Sequence, residues 1–458
     1  MFLDLDKKPS DAPAVIDDSL EILTYGRLCS LVEDFGRRLP DRSLIIILAS
    51  NTVGSMVGYL GCMASGVVPI IVNKDTECGQ LSHMVRLYRP EYLWMPEADT
   101  NMPEGQRVFS AYGYVLVSTG LTAPDLHPDL ALLLPTSGST GSPKMVRHSL
   151  RNVQANARNV SELFGISPQD RAMAFLPMYY TMGLSVITSH LYSGATVLLT
   201  GRSMLDKAFW AMLRDGGATI LTGVPYSFEI LQRMGFFRMD LPALRIITQG
   251  GGRMSDSLWH NCVEYALRTG RQFIATYGQT EGTARMAWLP WPMAVQKVGS
   301  IGIAEPGGQL SVLDDSGVET FEGEAAGELV FRGENVTLGY AVGPKDFMKG
   351  DERGGVLHTG DIVRRDADGC HFIIGRRTRF LKIYGLRIAL DEVEHIVQNA
   401  FPGTDCLCSG VDGHLVVHVT DGAEPENVRK VIVDKTGLFH KNIEVVQVES
   451  IERTKQYG

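Results

Sequence analysis

Residues Leu132 to Lys144 read Leu-Leu-Leu-Pro-Thr-Ser-Gly-Ser-Thr-Gly-Ser-Pro-Lys, an aliphatic run that breaks into hydroxyl and glycine residues and closes on a lysine. A short apolar run bounded by turn residues is the pattern of a buried strand. Gly138 and Gly141 let backbone N–H groups approach an anion, and the hydroxyls of Thr136, Ser137, Ser139 and Thr140 add short donors. Lys144 adds a point charge, so the loop reads as a phosphate cradle. It is not of the Walker type, which needs Gly, four residues, then Gly-Lys-Ser/Thr. A flexible Ser/Gly linker has a similar composition. A linker, however, has no reason to follow an aliphatic strand and lead into the helix-compatible run Ser149 to Phe164. Open α/β sheets place ligands at strand ends of this kind.

The flanking chain agrees with such a sheet. Apolar positions recur at helical spacing over Glu21 to Leu39, followed by the strand-like run Ser43 to Ala49. A small-residue helix Val53 to Ala64, a strand Val67 to Val72 and a helix near Gln80 to Tyr88 come next, then short strands at Tyr92 to Met95 and Tyr114 to Val117. Strands alternating with helices predict a doubly wound parallel sheet. Further strands are expected at Ala172 to Pro177 and Ala195 to Leu199, on either side of an aromatic turn Met178 to Gly183. Others follow at Thr219 to Val224, Leu244 to Thr248 and Phe273 to Thr276. From Gly299 to Tyr340 the helical pattern fades into a β-rich subdomain. After Arg376 the strand Phe380 to Ile383 is followed by the helix Leu390 to Ala400. The strands Asp405 to Ser409 and Leu415 to Thr420, the helix Pro425 to Leu438 and the strand Ile443 to Val448 complete a compact α+β unit. The expected fold is α/β: a large multi-subdomain N-terminal domain over 1–375 and a small α+β lid domain over 376–458.

Composition excludes several classes. Hydrophobic content of 44% in 458 residues supports a large core. A net charge of -9 leaves no basic stripe to displace counterions, so nucleic acid is not an expected partner. The seven cysteines are scattered and form no zinc-like pair of pairs; Cys406 and Cys408 read as alternate residues of one strand. No apolar run reaches membrane-spanning length, and Met1 to Pro13 lacks a signal core. A cytoplasmic location in a reducing compartment is expected.

Five motifs then appear in order: Thr136 to Lys144, Tyr277-Gly-Gln-Thr-Glu281, Gly327-Glu-Leu-Val-Phe-Arg-Gly333, His358-Thr-Gly-Asp361, and Gly375-Arg376 followed by Lys382-Ile-Tyr-Gly385-Leu-Arg387. In this order and spacing the chain resembles the adenylate-forming superfamily of acyl-CoA synthetases, aryl-CoA ligases, luciferases and peptide-synthetase adenylation domains. The resemblance implies that a carboxylate attacks the α-phosphate of ATP, giving acyl-adenylate and pyrophosphate, and that a thiol then displaces AMP. It implies that Thr136, Ser137, Ser139, Thr140 and Lys144 hold the β,γ-phosphates, with Gly138 and Gly141 shaping that loop. Thr280 would contact the α-phosphate and Glu281 would ligate Mg²⁺, an expected partner of one carboxylate plus phosphate oxygens. Gly251 and Gly252 would border the adenine, Tyr277 would stack on it beside Gly278, and Asp361 with Arg376 would take the ribose. Each has a plain alternative: a helix-start carboxylate, a glycine turn, a core tyrosine, or a turn aspartate.

The resemblance further implies an acid pocket walled by Tyr180, Gly183, Gly223-Val224-Pro225 and Thr283-Ala-Arg-Met286. No aspartate stands in Met178 to Gly183 to pair with an amine, which favours an acid without an α-amino group. The alternative for Tyr179 and Tyr180 is simple core packing. Thiolation is expected near Lys382, Gly385 and Arg387, with coenzyme A as acceptor or, in second place, the phosphopantetheine of an acyl carrier protein. Two departures stand out. Thr378 occupies the hinge position where the superfamily usually has Asp or Lys, and rotation there needs φ/ψ tolerance more than charge. The terminal Gly-Lys-like segment is absent: the sequence ends Arg453-Thr-Lys455-Gln-Tyr-Gly458. Either the lid lacks its last residues, or Lys455 substitutes as the catalytic lysine from a shifted register, or adenylation is impaired; the reading favoured here is that the lid lacks its last residues, just before the expected lysine. Losing one transition-state charge contact would cost about two to four orders of magnitude in rate. The rival readings are a nucleotide-binding protein of this fold with impaired turnover and a luciferase-like oxygenase.

Overall fold

The computed structural model describes residues 1–98, 105–135, 144–376, 380–384, 386–401, 403–420, 422–449 and 451. Thr136, Ser137, Gly138, Ser139, Thr140, Gly141, Thr378, Gly385 and Lys455 lie outside them. Contacts divide the chain into two compact units. One holds Met1–Pro135, Lys144–Thr359 and Val363–Ile373; the other gathers Gly360–Ile362 and the chain from Ile374 onward.

The first unit is built on three sheets. One sheet has eight strands among the described residues, in the order Gly339–Ala341, Met145–His148, Leu132–Pro135, Val68–Asn73, Leu44–Ala49, Tyr92–Pro96, Tyr114–Ser118 and Gln106–Ala111. Its centre is parallel: Leu44–Ala49 pairs with Val68–Asn73 in register Leu44 to Val68, and all six of its residues are buried. Burial on both faces accounts for the unbroken aliphatic run. The strands used below are labelled β1 (Leu132–Pro135) and β2 (Met145–His148), which pair antiparallel on either side of the glycine-rich segment. Helix α1 (Leu150–Phe164) follows, capped where the Ser149 hydroxyl accepts from the Asn152 N–H.

The second sheet has nine described strands, with a parallel core that includes β3 (Ile220–Gly223), β4 (Ile246–Gln249) and β5 (Gln272–Tyr277). Helix α2 (Thr181–Tyr192) lies ahead of them in the chain. A doubly wound pattern is therefore present in two sheets, and the β-rich stretch forms a third sheet of five described strands. The latter includes Gly308–Leu313, Ala325–Gly333 and Val356–Arg365. In the second unit, Phe380–Ile383 pairs with Leu386–Ala389. A three-stranded sheet of Cys406–Val411, His414–Val419 and Ile443–Gln447 packs with the helices Leu390–Ala400 and Pro425–Thr436. Cys406 and Cys408 are alternate buried residues of one strand.

Three local differences from the sequence reading are physical. The run expected as one helix from Glu21 begins as a strand, Ile22–Thr24, and turns helical at Tyr25 because the Thr24 hydroxyl caps the Arg27 N–H. Pro13–Ile16 was not expected as a strand, yet it pairs in parallel with Thr196–Leu199 and extends the nine-stranded sheet. The aromatic turn at Met178 to Gly183 opens into helix α2, buried from Gly183 through Leu191. A helix covered on nearly every side shows no amphipathic stripe to read. Among the described residues no helix is long and apolar enough to cross a membrane.

Candidate active site

Glu281 is buried to 5% exposure in the short turn Thr280–Gly282 that follows β5. The phenol of Tyr340 donates to its Oε1 at 2.7 Å. Tyr340 sits on strand β6 (Gly339–Ala341), which pairs antiparallel with β2 so that Tyr340 faces Val146. Two cations lie over the ring of Tyr340: Lys144 Nζ is 3.4 Å from its centroid and Arg353 Cζ 4.7 Å. The backbone of the turn is held as well. The Thr337 N–H and hydroxyl both donate to the Glu281 carbonyl, at 3.0 and 2.9 Å, and Arg353 reaches the same Thr337 hydroxyl. Arg147, fully buried on β2, fixes β6 through the Tyr340 carbonyl at 3.0 Å and pairs with Glu352 at 2.6 Å. Behind the turn His148 is fully buried, and burial pushes its imidazole down to about 4, so it is neutral at pH 7.

The turn continues into Thr283 and Ala284, both left-handed with φ of 52° and 84°. A β-branched residue in that region is strained. Asn335 holds the strain in place: its side-chain amide donates to the Gly282 and Arg285 carbonyls at 2.8 and 3.0 Å, and its backbone carbonyl accepts from the Thr283 hydroxyl at 2.7 Å. Asn152 of α1 braces the same segment through the Glu334 and Val336 carbonyls, each at 2.7 Å. Gly278 is required because a Cβ there would lie 1.5 Å from the Ala284 carbonyl oxygen.

A second group of sequence-selected residues converges nearby on α2, β3 and β4. A Cβ on Gly250 would lie 2.6 Å from Thr276 Oγ1 and 2.7 Å from Met182 Cε. Gly251, with φ of +78°, would meet Val224 Cγ1 at 3.3 Å and Met182 Cε at 3.6 Å. Gly252 follows directly. Gly183 has its backbone packed against the Leu176 and Pro177 carbonyls, which leaves no room for a side chain. Tyr180 stands at the N-terminus of α2, 42% exposed, with its ring 4.7 Å from that of Tyr179. Tyr277 is 7% exposed and packs in an apolar cluster with Met286, Leu310 and Phe331, with its hydroxyl accepting from Gln279 at 3.2 Å.

Asp361 is buried to 1% exposure on Val356–Arg365, and Arg376 ends the strand His371–Arg376. In the second unit Lys382 stands opposite Arg387 in a two-stranded ladder, and the Lys382 N–H donates to Asp412 at 2.7 Å. The structure thus gathers Lys144, Thr280, Glu281 and Thr283 around Tyr340 and Asn335, and Val224, Gly251 and Gly183 around Met182. Tyr340, Arg353 and Asn335 were not selected from sequence. The signal available was the Gly-Tyr pair six residues beyond Gly333, and the distance along the chain hid what it touches. A separate cavity of about 740 Å³ at the N-terminus of α1, lined in part by Arg42, Arg151 and Glu334, includes Gly333 of the third motif but none of the residues expected to hold nucleotide, metal or acid.

A lysine and a buried carboxylate about one tyrosine, with glycines packed closely at the ends of parallel strands, are the features that the comparisons with known proteins address. The AMP-binding enzyme family model matches residues 3–341. The chain is 30% identical over 413 residues to a sulfoacetate–CoA ligase from Cupriavidus necator, covering 84% of this chain and 79% of that one. It is 24% identical over 422 residues to a 3-hydroxybenzoate–CoA ligase from Aromatoleum sp., covering 86% and 79%. An o-succinylbenzoate CoA synthetase structure from Bacillus subtilis superposes with a TM-score of 0.78 at 19% identity, covering 98% of this chain and 94% of that one. The chain belongs to the AMP-binding enzyme family. It is an AMP-forming acid–thiol ligase, activating a carboxylate as its acyl-adenylate before thioester formation.

Proposed function

We propose that the thiol acceptor is coenzyme A and that adenylation takes place beside Glu281. The observation that carries this reading is the Lys144–Tyr340–Glu281 arrangement, a cation and a carboxylate held about one tyrosine. Lys144 would meet the outer phosphates of ATP and Thr280 the α-phosphate, so that negative charge developing during acid attack is met by groups already in place. Glu281 fits a magnesium site of one carboxylate completed by substrate phosphates, since its Oε1 is oriented by a single phenol donor. When bound, Mg²⁺ would neutralise phosphate charge. Gly251, Gly252, Tyr277 and Gly278 would border the adenine, and Asp361 with Arg376 the ribose. Tyr180, Gly183, Val224 and Thr283 would enclose the acid.

The reading assigns 1–375 to adenylation and 376–458 to a mobile lid, with Lys382, Gly385 and Arg387 serving thiolation and Lys455 serving adenylation. The test is pyrophosphate release from Mg-ATP across a panel of acids, with and without coenzyme A, with products identified by mass spectrometry. Acid-dependent pyrophosphate together with an acyl-CoA mass is the expected result. An acyl-adenylate that reacts with no coenzyme A would move the acceptor to a carrier protein. Saturable ATP binding with no pyrophosphate would overturn the catalytic reading.

A further inference from the structure

Arg285 is the one guanidinium that the turn after Glu281 buries, at 1% exposure. Its Nη1 donates to the Ser185 hydroxyl at 2.8 Å, and the ring of Phe164 lies 5.2 Å from its Cζ. Its Nε and Nη2 are buried without a hydrogen-bond partner among the described residues. A buried charge is ordinarily paired and hydrogen-bonded, because water has been removed from it. Burial lowers Arg285 to about 10, so it remains protonated at neutral pH. Glu305 is the carboxyl group that acts on Arg285 through space, while the hydrogen bonds of the two groups go to Ser185 and to Asn335 and Asn159. One oxygen of Glu305 accepts from Asn335 at 2.7 Å and from Asn159 at 3.4 Å. Burial pushes Glu305 up to about 8, with the Arg285 charge and the Asn159 and Asn335 amides acting against that rise.

The position of this cation is set by α2. Ser185 follows Met182 by three residues, so both lie on one face of the helix, about 4.5 Å apart along its axis. Met182 is the side chain against Gly250 and Gly251. Arg285 is therefore tied to α2 about one turn along from Met182, the side chain that packs against Gly250 and Gly251. The left-handed pair Thr283 and Ala284 turns the chain so that Arg285 is buried, and Asn335 fixes its carbonyl. Strain retained by surrounding bonds at such a place points to function.

We propose that Arg285 forms the inner end of the acid pocket and selects acids that carry a second anionic group, a dicarboxylate or a sulfocarboxylate, remote from the carboxyl that is activated. This rests on the ligase reading above and names its substrate class. The second anion would accept from Nε and Nη2 as a bidentate pair, the geometry in which guanidinium binds planar anions best. Kinship does not choose between classes, since the names of the relatives given above include an acid with one acid group and acids with two. The unanswered guanidinium does.

The test uses matched acids on the full chain: malonate against propionate, succinate against butyrate, and sulfoacetate against acetate. Initial rates of pyrophosphate release give kcat/KM for each, and calorimetry with the acid alone gives binding without turnover. The expected preference for the dianionic member is about 10²–10³-fold, because a buried polar site rejects a ligand that leaves it unpaired. Arg285→Met is expected to collapse that ratio, and Arg285→Lys to restore part of it. A merely structural role would lower both members of each pair together and leave the ratio unchanged, which would overturn the proposal. So would equal use of both members by the unaltered protein, as expected if internal water bridges Arg285 and Glu305. Arg285-dependent binding of dianionic acids without pyrophosphate release would keep the site and overturn the ligase reading. Turnover confined to monoanionic acids would keep the ligase and overturn this assignment. No binding and no turnover would overturn both.

Discussion

Glu281 and Arg285 stand four residues apart on one loop, both almost fully buried, and their charges are treated in opposite ways. The carboxylate of Glu281 receives the Tyr340 phenol, and Lys144 and Arg353 lie over the ring carrying that phenol. The guanidinium of Arg285 has one hydroxyl and an aromatic ring, while the Glu305 carboxyl group makes its hydrogen bonds to Asn335 and Asn159. The difference separates two kinds of functional group. One is held in place by the protein, ready for charge that changes during the reaction. The other is left incomplete, so that a ligand supplies what is missing. Buried charges that are already answered fix geometry, and those that are not fix specificity.

The comparison breaks most visibly at Glu281. Glu281→Gln keeps an acceptor for Tyr340 but removes the charge, and acid-dependent pyrophosphate release is expected to fall about 10²–10³-fold in single-turnover assays. A fall under threefold would show that the carboxylate is structural. At the other end of the loop, the Arg285→Met ratio described above is expected to move by a similar factor with Glu281 untouched.

A smaller effect is expected from Tyr340→Phe, which keeps the ring under Lys144 and Arg353 and deletes only the donor to Glu281. Loss of one hydrogen bond to a charged group corresponds to about 1.5–3 kcal/mol, or roughly 10–150-fold in kcat/KM. The magnesium concentration for half-maximal rate should rise as well. An unchanged magnesium dependence would mean that the phenol does not position Glu281.

The two ends also carry opposite pH signatures in stability. His148, behind Glu281, has its imidazole pushed from 6.5 to about 4, so the unfolded chain binds a proton that the folded one does not. Its neutral burial therefore destabilises the fold as pH drops from 6.5 toward 4, by about 3 kcal/mol at the low end. Glu305, beside Arg285, is pushed from 4.5 to about 8, so the folded chain holds the extra proton. Its contribution falls as pH rises from 4.5 toward 8. Urea midpoints across this range should lose their acid limb in His148→Gln and their upper limb in Glu305→Gln. The same limb lost in both variants would contradict the assignment.

Much of the fold was legible because it rests on local patterns. Helix Leu390–Ala400 was placed to the residue by its apolar spacing, and the parallel strands by their aliphatic runs. Helix α2 was not, because it is buried on almost every side and follows directly on two tyrosines. Pro13–Ile16 was missed because its partner lies some 180 residues away and nothing local marks a strand that joins another sheet edge. The site divides in the same way. Lys144, Thr280 and Glu281 stand in compact motifs, and the structure brings Lys144 and Glu281 to one ring. Tyr340 and Asn335 act through contacts more than 50 residues distant in sequence. Arg285 appeared in the sequence only as one letter of a pocket wall. What distinguishes it is that its Nε and Nη2 have no hydrogen-bond partner among the described residues, which no spacing can reveal.

The most direct test is acid-dependent exchange of labelled pyrophosphate into ATP in the absence of coenzyme A, run with sulfoacetate and with acetate. Exchange requires a reversible acyl-adenylate and nothing further. The account predicts exchange that depends on the acid, is faster with sulfoacetate by about two orders of magnitude, and is lost in Glu281→Gln. Acid-independent exchange, equal rates with the two acids, or full exchange in Glu281→Gln would contradict it.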